Sequence, residues 1–148
     1  MSTDHDISVL NGLIKTTLDS MKGYRDAAED ADNDQLGRIF SDFARERSEV
    51  ASTLQAEVRR LGGVPEDDSS FLAAAHRTFM DLKQALTGTN DKAVIEEVER
   101  GEDFIKSKYE GSLKDGDLAV GTRTAIQSGY ASVRAGHDRI SAMNHNLA

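Results

Sequence analysis

The sequence of 148 residues has no cysteine, no tryptophan and a single proline, and only 5% of its residues are aromatic. Without cysteine there is no disulfide, no zinc–thiolate centre and no thiol nucleophile, which disfavours a disulfide-stapled secreted scaffold. One proline leaves little to interrupt long helices. No apolar run approaches the roughly 18 residues that a membrane span requires, and the opening "MSTDHDISVL" is acidic and polar, unlike a signal peptide. The cytoplasm is the expected compartment. Basic residues are also in short supply, 18 Lys and Arg against 26 Asp and Glu, for a formal charge of −8. With no basic patch to offset repulsion from phosphates, neither nucleic acid nor a membrane surface is an expected partner.

What the chain does contain is helical periodicity. Ile7, Leu10, Ile14, Leu18, Met21, Tyr24 and Ala28 recur every three or four residues, which predicts a helix from residue 7 to about 30. "DADND" breaks it, and Asp32 or Asn33 is placed to cap a second helix. That helix carries Leu36, Ile39, Phe40, Phe43, Val50, Leu54, Val58 and Leu61, and stops at "GGVP", where Gly62 suits the left-handed position after a helix. A short third helix is expected over residues 69–86, and "TGTND" ends it. A fourth runs from Asn90 or Asp91 to about residue 114. "KDGD" then makes a tight turn, with Gly116 as stop and Asp117 as cap for a fifth helix bearing Ile126, Tyr130, Val133, His137 and Ile140. No strand pattern appears, so the expectation is one all-α domain over residues 1–148. Helices one and two should form one antiparallel hairpin and four and five another. Two hairpins joined by a crossover that holds the short helix make a ferritin-like four-helix bundle.

Several segments, "LNGLIKTTLDSMKGYRDAAE", "ARERSEVASTLQAEVRRLGG", "HRTFMDLKQALTG", "ERGEDFIKSKYEG" and "YASVRAGHDRI", resemble a bacterial ferritin-like family of unknown function. The resemblance implies a ferritin-like bundle and a link to bacterial stress physiology, but brings no reaction with it. Ferritin-like hairpins pair, so it also implies a homodimer or a partner protein.

Two carboxylates interrupt the apolar stripes. Glu102 falls among Ile95, Val98, Ile105 and Tyr109, and Glu46 continues the stripe of Ile39 and Phe43. Counted from the turns at Asp32 and Asn90, the two lie within about 3 Å of the same height at 1.5 Å per residue. Two unpaired buried anions cost several kcal/mol each. A divalent metal (Fe or Mn) between them, a shared proton, or donors from Arg45, Arg47, Lys106 and Tyr130 would each compensate. The metal reading takes Glu46, Glu102, Glu49, Glu99 and His137 as ligands, with Tyr130 and Tyr24 as inner polar neighbours. The di-iron pattern of Glu and Glu-x-x-His ligands is incomplete. Glu49 stands where an imidazole is needed, Val133 where a second ligand is expected, and Asp19 and Asp26 point outward, which disfavours a ferroxidase. His137 reads first as a partly buried imidazole bonded to Tyr24 or a flanking carboxylate, and second as a ligand with Glu49 or Glu99. His76 and Asp81 on the short helix suit packing or a partner surface. His5 and His145 lie near the ends and take no role.

Three functions follow. The favoured one is a non-enzymatic ferritin-like bundle serving as a structural or interaction module, with no cofactor expected. The second is a metal-binding protein with a reduced carboxylate site for sequestration or redox chemistry, and the third an apolar-ligand carrier.

Overall fold

A computed structural model describes residues 3–30, 34–67 and 91–147. Among these residues it is all-helical and has no strand: α1 spans Thr3–Asp30, α2 Asp34–Arg60, α3 Asp91–Leu113 and α4 Val120–Leu147. The expected short helix over 69–86, with His76 and Asp81, and the expected caps at residues 32, 33 and 90 lie outside the described residues. No helix among the described residues is long and apolar enough to cross a membrane.

The helices are long because each carries a core position alternately every four and three residues. On α1 these are Asp6, Leu10, Leu13, Thr17, Ser20, Tyr24 and Ala27; on α2, Leu36, Phe40, Phe43, Arg47, Val50 and Leu54. On α3 they are Ile95, Val98, Glu102, Ile105 and Tyr109. On α4 they are Thr122, Ile126, Gly129, Val133, Gly136 and Ile140. A four–three spacing turns one stripe toward a neighbour at a shallow crossing, as in helical bundles.

Cross-helix contacts fix the directions. Thr17 meets Tyr109 and Tyr24 meets Glu102, so α1 and α3 are antiparallel. Gly121 lies against Arg60, Gly129 against Val50 and Gly136 against Arg47, so α2 and α4 are antiparallel too. Each helix packs on two neighbours in the ring order α1, α2, α4, α3, and α2 and α3 run parallel across one diagonal. Inside the first hairpin the Tyr24 ring stacks on Phe40 at 5.9 Å and tilts against Phe43 at 5.1 Å.

The helix ends show how local chemistry sets the boundaries. At the end of α2, Gly62 takes φ 85°, as the sequence predicts. Its N–H bonds the Arg59 carbonyl at 3.0 Å and that of Gly63 bonds the Val58 carbonyl at 3.0 Å, the paired closure of a helix in a Schellman motif. Gly63 packs so closely on Ile7 that a Cβ there would come within 2.8 Å of it. The start of α4 departs from expectation. Asp117 does not cap it; its N–H bonds the Asp115 carboxylate at 2.9 Å within the turn. The cap comes from another helix. Asp6 of α1, 2% exposed, accepts the Ala119 N–H at 3.2 Å and the Thr122 hydroxyl at 2.8 Å, placing a carboxylate at the positive end of α4.

Leu36, Phe40, Phe43, Leu54, Val98, Ile105, Ile126 and Val133 are all buried. Phe43 has no exposed surface, so Phe43→Ala is expected to cost about 3–5 kcal/mol in urea unfolding at constant slope. A loss under about 1 kcal/mol would mean that α2 does not face the core through this residue.

Candidate functional site

Glu102 is 1% exposed, in the apolar stripe of α3, and what meets it is Arg47 of α2, which has no exposed surface. One guanidinium nitrogen, Nη2, donates to Glu102 Oε1 at 2.6 Å. The other carboxylate oxygen, Oε2, accepts the Tyr24 hydroxyl at 2.7 Å. Nη1 of Arg47 donates to Ser20 Oγ at 3.3 Å, and Nε has no partner among the described residues. The guanidinium carbon lies 5.9 Å from the centre of the Tyr24 ring, a cation–π distance. One layer away, Thr17 Oγ1 donates to the Leu13 carbonyl, which leaves the Tyr109 hydroxyl as donor to Thr17 at 2.6 Å. α4 contributes space. A Cβ on Gly136 would stand 2.7 Å from Arg47 Nη2 and 3.1 Å from Glu102 Oε1. Its glycine lets the backbone of α4 close over the ion pair.

The electrostatics follow from burial and pairing. Burial opposes the charge on Arg47, but Glu102 beside it more than compensates and its pKa is raised. Tyr24 is pushed well above the ordinary phenol value, first by burial and then by the Glu102 carboxylate. Burial likewise lifts Tyr109, to about 12. At neutral pH Tyr24 in this layer and Tyr109 in the next are therefore neutral phenols. Chemically this is a self-neutralised cluster.

The sequence-predicted residues are distributed differently from the expectation. Glu102 and Tyr24 are brought together. Glu46 is not in the layer: it is half-buried, and its neighbour Arg47 takes the inward position. Arg47, one residue or 100° round the helix from Glu46, is what faces Glu102. Glu49 is exposed and lines a groove between α1 and α2 with Arg25 and Arg45. Glu99 is half-buried on α3. Tyr130 does not lie opposite Glu102; its hydroxyl bonds Glu110 Oε2 at 2.7 Å near the surface. His137 is one position off the α4 core stripe. Its Nε2 lies 2.6 Å from Asp103 and its Nδ1 3.3 Å from Asp138, so the flanking-carboxylate reading describes it and the bond to Tyr24 is absent. Asp19 is half-buried rather than outward, and burial raises its carboxyl to about 6 against the lowering effect of Lys22 and Lys15. His5, expected to be idle, meets Asp115 at 2.7 Å. Among the described residues no three His, Asp or Glu side chains are grouped as cation ligands.

Asp6, Gly129 and Gly136 are the positions that the sequence reading missed, and Arg47, expected only as one of four possible donors, is the one that meets Glu102. The available signal was the unbroken four–three spacing itself, which passes through each of them.

Residues 5–115, about three quarters of the sequence, match the family model described as "Domain of unknown function (DUF2383)", and the chain belongs to this family. No curated protein matches the chain. The matched segment contains every donor and acceptor of the buried layer, whereas Gly129 and Gly136 lie beyond it.

Two measurements test the site. Removing one partner of a buried pair strands the other charge, so Glu102→Gln and Arg47→Met should each cost about 3–5 kcal/mol in chemical denaturation. The double change Arg47→Met with Glu102→Leu should recover most of that loss, since an apolar layer strands nothing. Simple additivity of the two losses would refute the pairing. The second measurement concerns His137. Burial lowers its pKa, but hydrogen bonds to Asp103 and Asp138 outweigh this and the net shift is upward. A raised folded pKa stabilises at low pH, so the stability difference between wild type and His137→Gln should be full below about pH 6.5 and vanish as the pH climbs through the raised value. A difference that grows with pH would reverse the assignment.

Proposed function

We propose that this member of the DUF2383 family is a non-enzymatic, ferritin-like bundle that acts as a structural or interaction module. The observation that carries the reading is the pairing of Glu102 within the chain. Both carboxylate oxygens are taken by donors of the chain itself, one from Arg47 and one from Tyr24. A fixed guanidinium supplies the positive charge that a divalent ion would otherwise bring, and it occupies the position facing the carboxylate. A catalytic acid or base needs reach to a substrate and a matched pKa; this carboxylate is enclosed and its hydrogen-bonding partners are committed.

The ferritin-like assignment is supported by connectivity: two antiparallel hairpins, with the second and third helices parallel across a diagonal, as one long crossover requires. The role in bacterial stress physiology and a cytoplasmic setting are proposed from the sequence resemblance and composition described above.

Thermal melts test the proposal. Wild type purified without a histidine tag should melt at the same temperature with chelator and with added Fe²⁺ or Mn²⁺, because a ligand stabilises only the state that binds it. A metal-dependent rise that Glu102→Gln abolishes would instead establish the reduced carboxylate site around Glu46, Glu102, Glu49 and Glu99.

A further inference from the structure

The seam between the two hairpins differs in chemistry from the hairpins themselves. Each helix packs most extensively on its own hairpin mate, α1 on α2 and α3 on α4. Inside the first hairpin Tyr24, Phe40 and Phe43 lie ring against ring. Across the seam, polar contacts stand at three levels: Asp6 to Ala119 and Thr122, Thr17 to Tyr109, and Tyr24 and Arg47 to Glu102. Where α4 meets α2, Gly129 lies against Val50 and Gly136 against Phe43, so α4 brings no side chain to those two contacts. The polar contacts are also incomplete. Among the described residues three buried side-chain atoms lack a hydrogen-bond partner, Asp6 Oδ1, Asp19 Oδ1 and Arg47 Nε, and the first and last belong to side chains that cross this seam. A buried polar atom without a partner loses its hydration with no compensating bond.

We propose that this seam is the plane along which the protein opens: α3 and α4 separate together from α1 and α2, in a state that forms more readily than the globally unfolded chain. Opening trades apolar burial for recovered hydration. Water entering the seam solvates both ions of the Arg47–Glu102 pair at once, so neither charge is stranded, and it supplies the partners that Arg47 Nε and Asp6 Oδ1 lack. Rupture within the first hairpin recovers no such hydration, because it exposes the rings of Tyr24, Phe40 and Phe43. The connections permit the motion. Residues 31–33 join α1 to α2 and residues 114–119 join α3 to α4, whereas the much longer stretch 61–90 connects α2 to α3. Once detached, α3 and α4 keep only each other. Helices with so little tertiary packing are marginal in water, so their amides exchange from the open state while those of α1 and α2 stay protected.

Native-state hydrogen exchange of the full chain, over a urea series below the unfolding transition, tests it. The slowest amides of α3 and α4 should exchange through one common opening, about 30-fold faster than the slowest amides of α1 and α2. Their urea dependence should be shallower, because this opening exposes less surface than global unfolding. Making a seam layer apolar removes the hydration that opening recovers. Arg47→Met with Glu102→Leu should therefore narrow the gap in rates about 10-fold, and Thr17→Val with Tyr109→Phe should narrow it independently by a smaller factor. The second pair keeps the test open should the first fail to fold. A wild type in which α3 and α4 exchange no faster than α1 and α2, or a gap that neither apolar layer narrows, overturns the proposal.

Discussion

The fold is organised around the ion pair between Arg47 and Glu102. It joins α2 and α3, the two helices at opposite corners of the bundle, through the middle of an otherwise apolar core. Desolvating two ions is expensive, and the attraction between them repays it only where the geometry is close and the remaining valences are met. Tyr24 and Ser20 meet most of them, and Gly136 removes the side chain that would otherwise stand in the way. Any sliding of α3 past α2 by one turn, about 5.4 Å, would separate the charges without bringing either to water. The pair thus couples the heights of the two hairpins in a way that aliphatic packing, which is non-directional, does not.

The same logic extends along the whole boundary between the hairpins. Six polar or charged residues are buried among those described: Asp6, Thr17, Ser20, Arg47, Glu102 and Thr122. Asp6 bonds across to the start of α4, Thr17 to Tyr109, and Arg47 to Glu102, each reaching from the first hairpin to the second. Ser20 supports Arg47 from within its own hairpin. Apolar contacts dominate within the first hairpin, where Tyr24, Phe40 and Phe43 pack their rings together. Hydrophobic burial therefore brings the hairpins together, and three layers of directional bonds determine how they sit.

Much of this was legible in the sequence, and the failures have specific physical causes. Leucine, isoleucine and phenylalanine at helical spacing marked the four described helices, and Gly62 marked the end of α2, because hydropathy and left-handed backbone are strong local signals. Glu102 stood out as a carboxylate in an apolar stripe. Its partner was only one of four candidate donors, because Glu46 and Arg47 are adjacent and equally polar, and only the strict four–three count through Phe43 and Val50 selects Arg47. On α4 the reading chose Tyr130 and His137 over Gly129 and Gly136. Glycine has no side chain to register in a hydropathy pattern, yet it is the residue a helix needs where another helix's side chains fill the space. The Asp6 cap was beyond any local reading, since its acceptor and the helix it caps are separated by more than a hundred residues.

These features also determine where function can reside. Interior carboxylates attract attention because an unpaired one demands a cation or a proton, and the demand is met here by residues of α1 and α2 that lie in the same family-matched segment as Glu102. Each oxygen of Glu102 thus accepts a hydrogen bond from the chain itself. What α4 adds is room: its glycines admit the guanidinium and the Tyr109 ring without presenting chemistry of their own. The interior therefore acts on the outer surface by holding α1 and α3 in a fixed relation. That relation rests on the Tyr24–Glu102 and Thr17–Tyr109 hydrogen bonds, which join α1 to α3 directly.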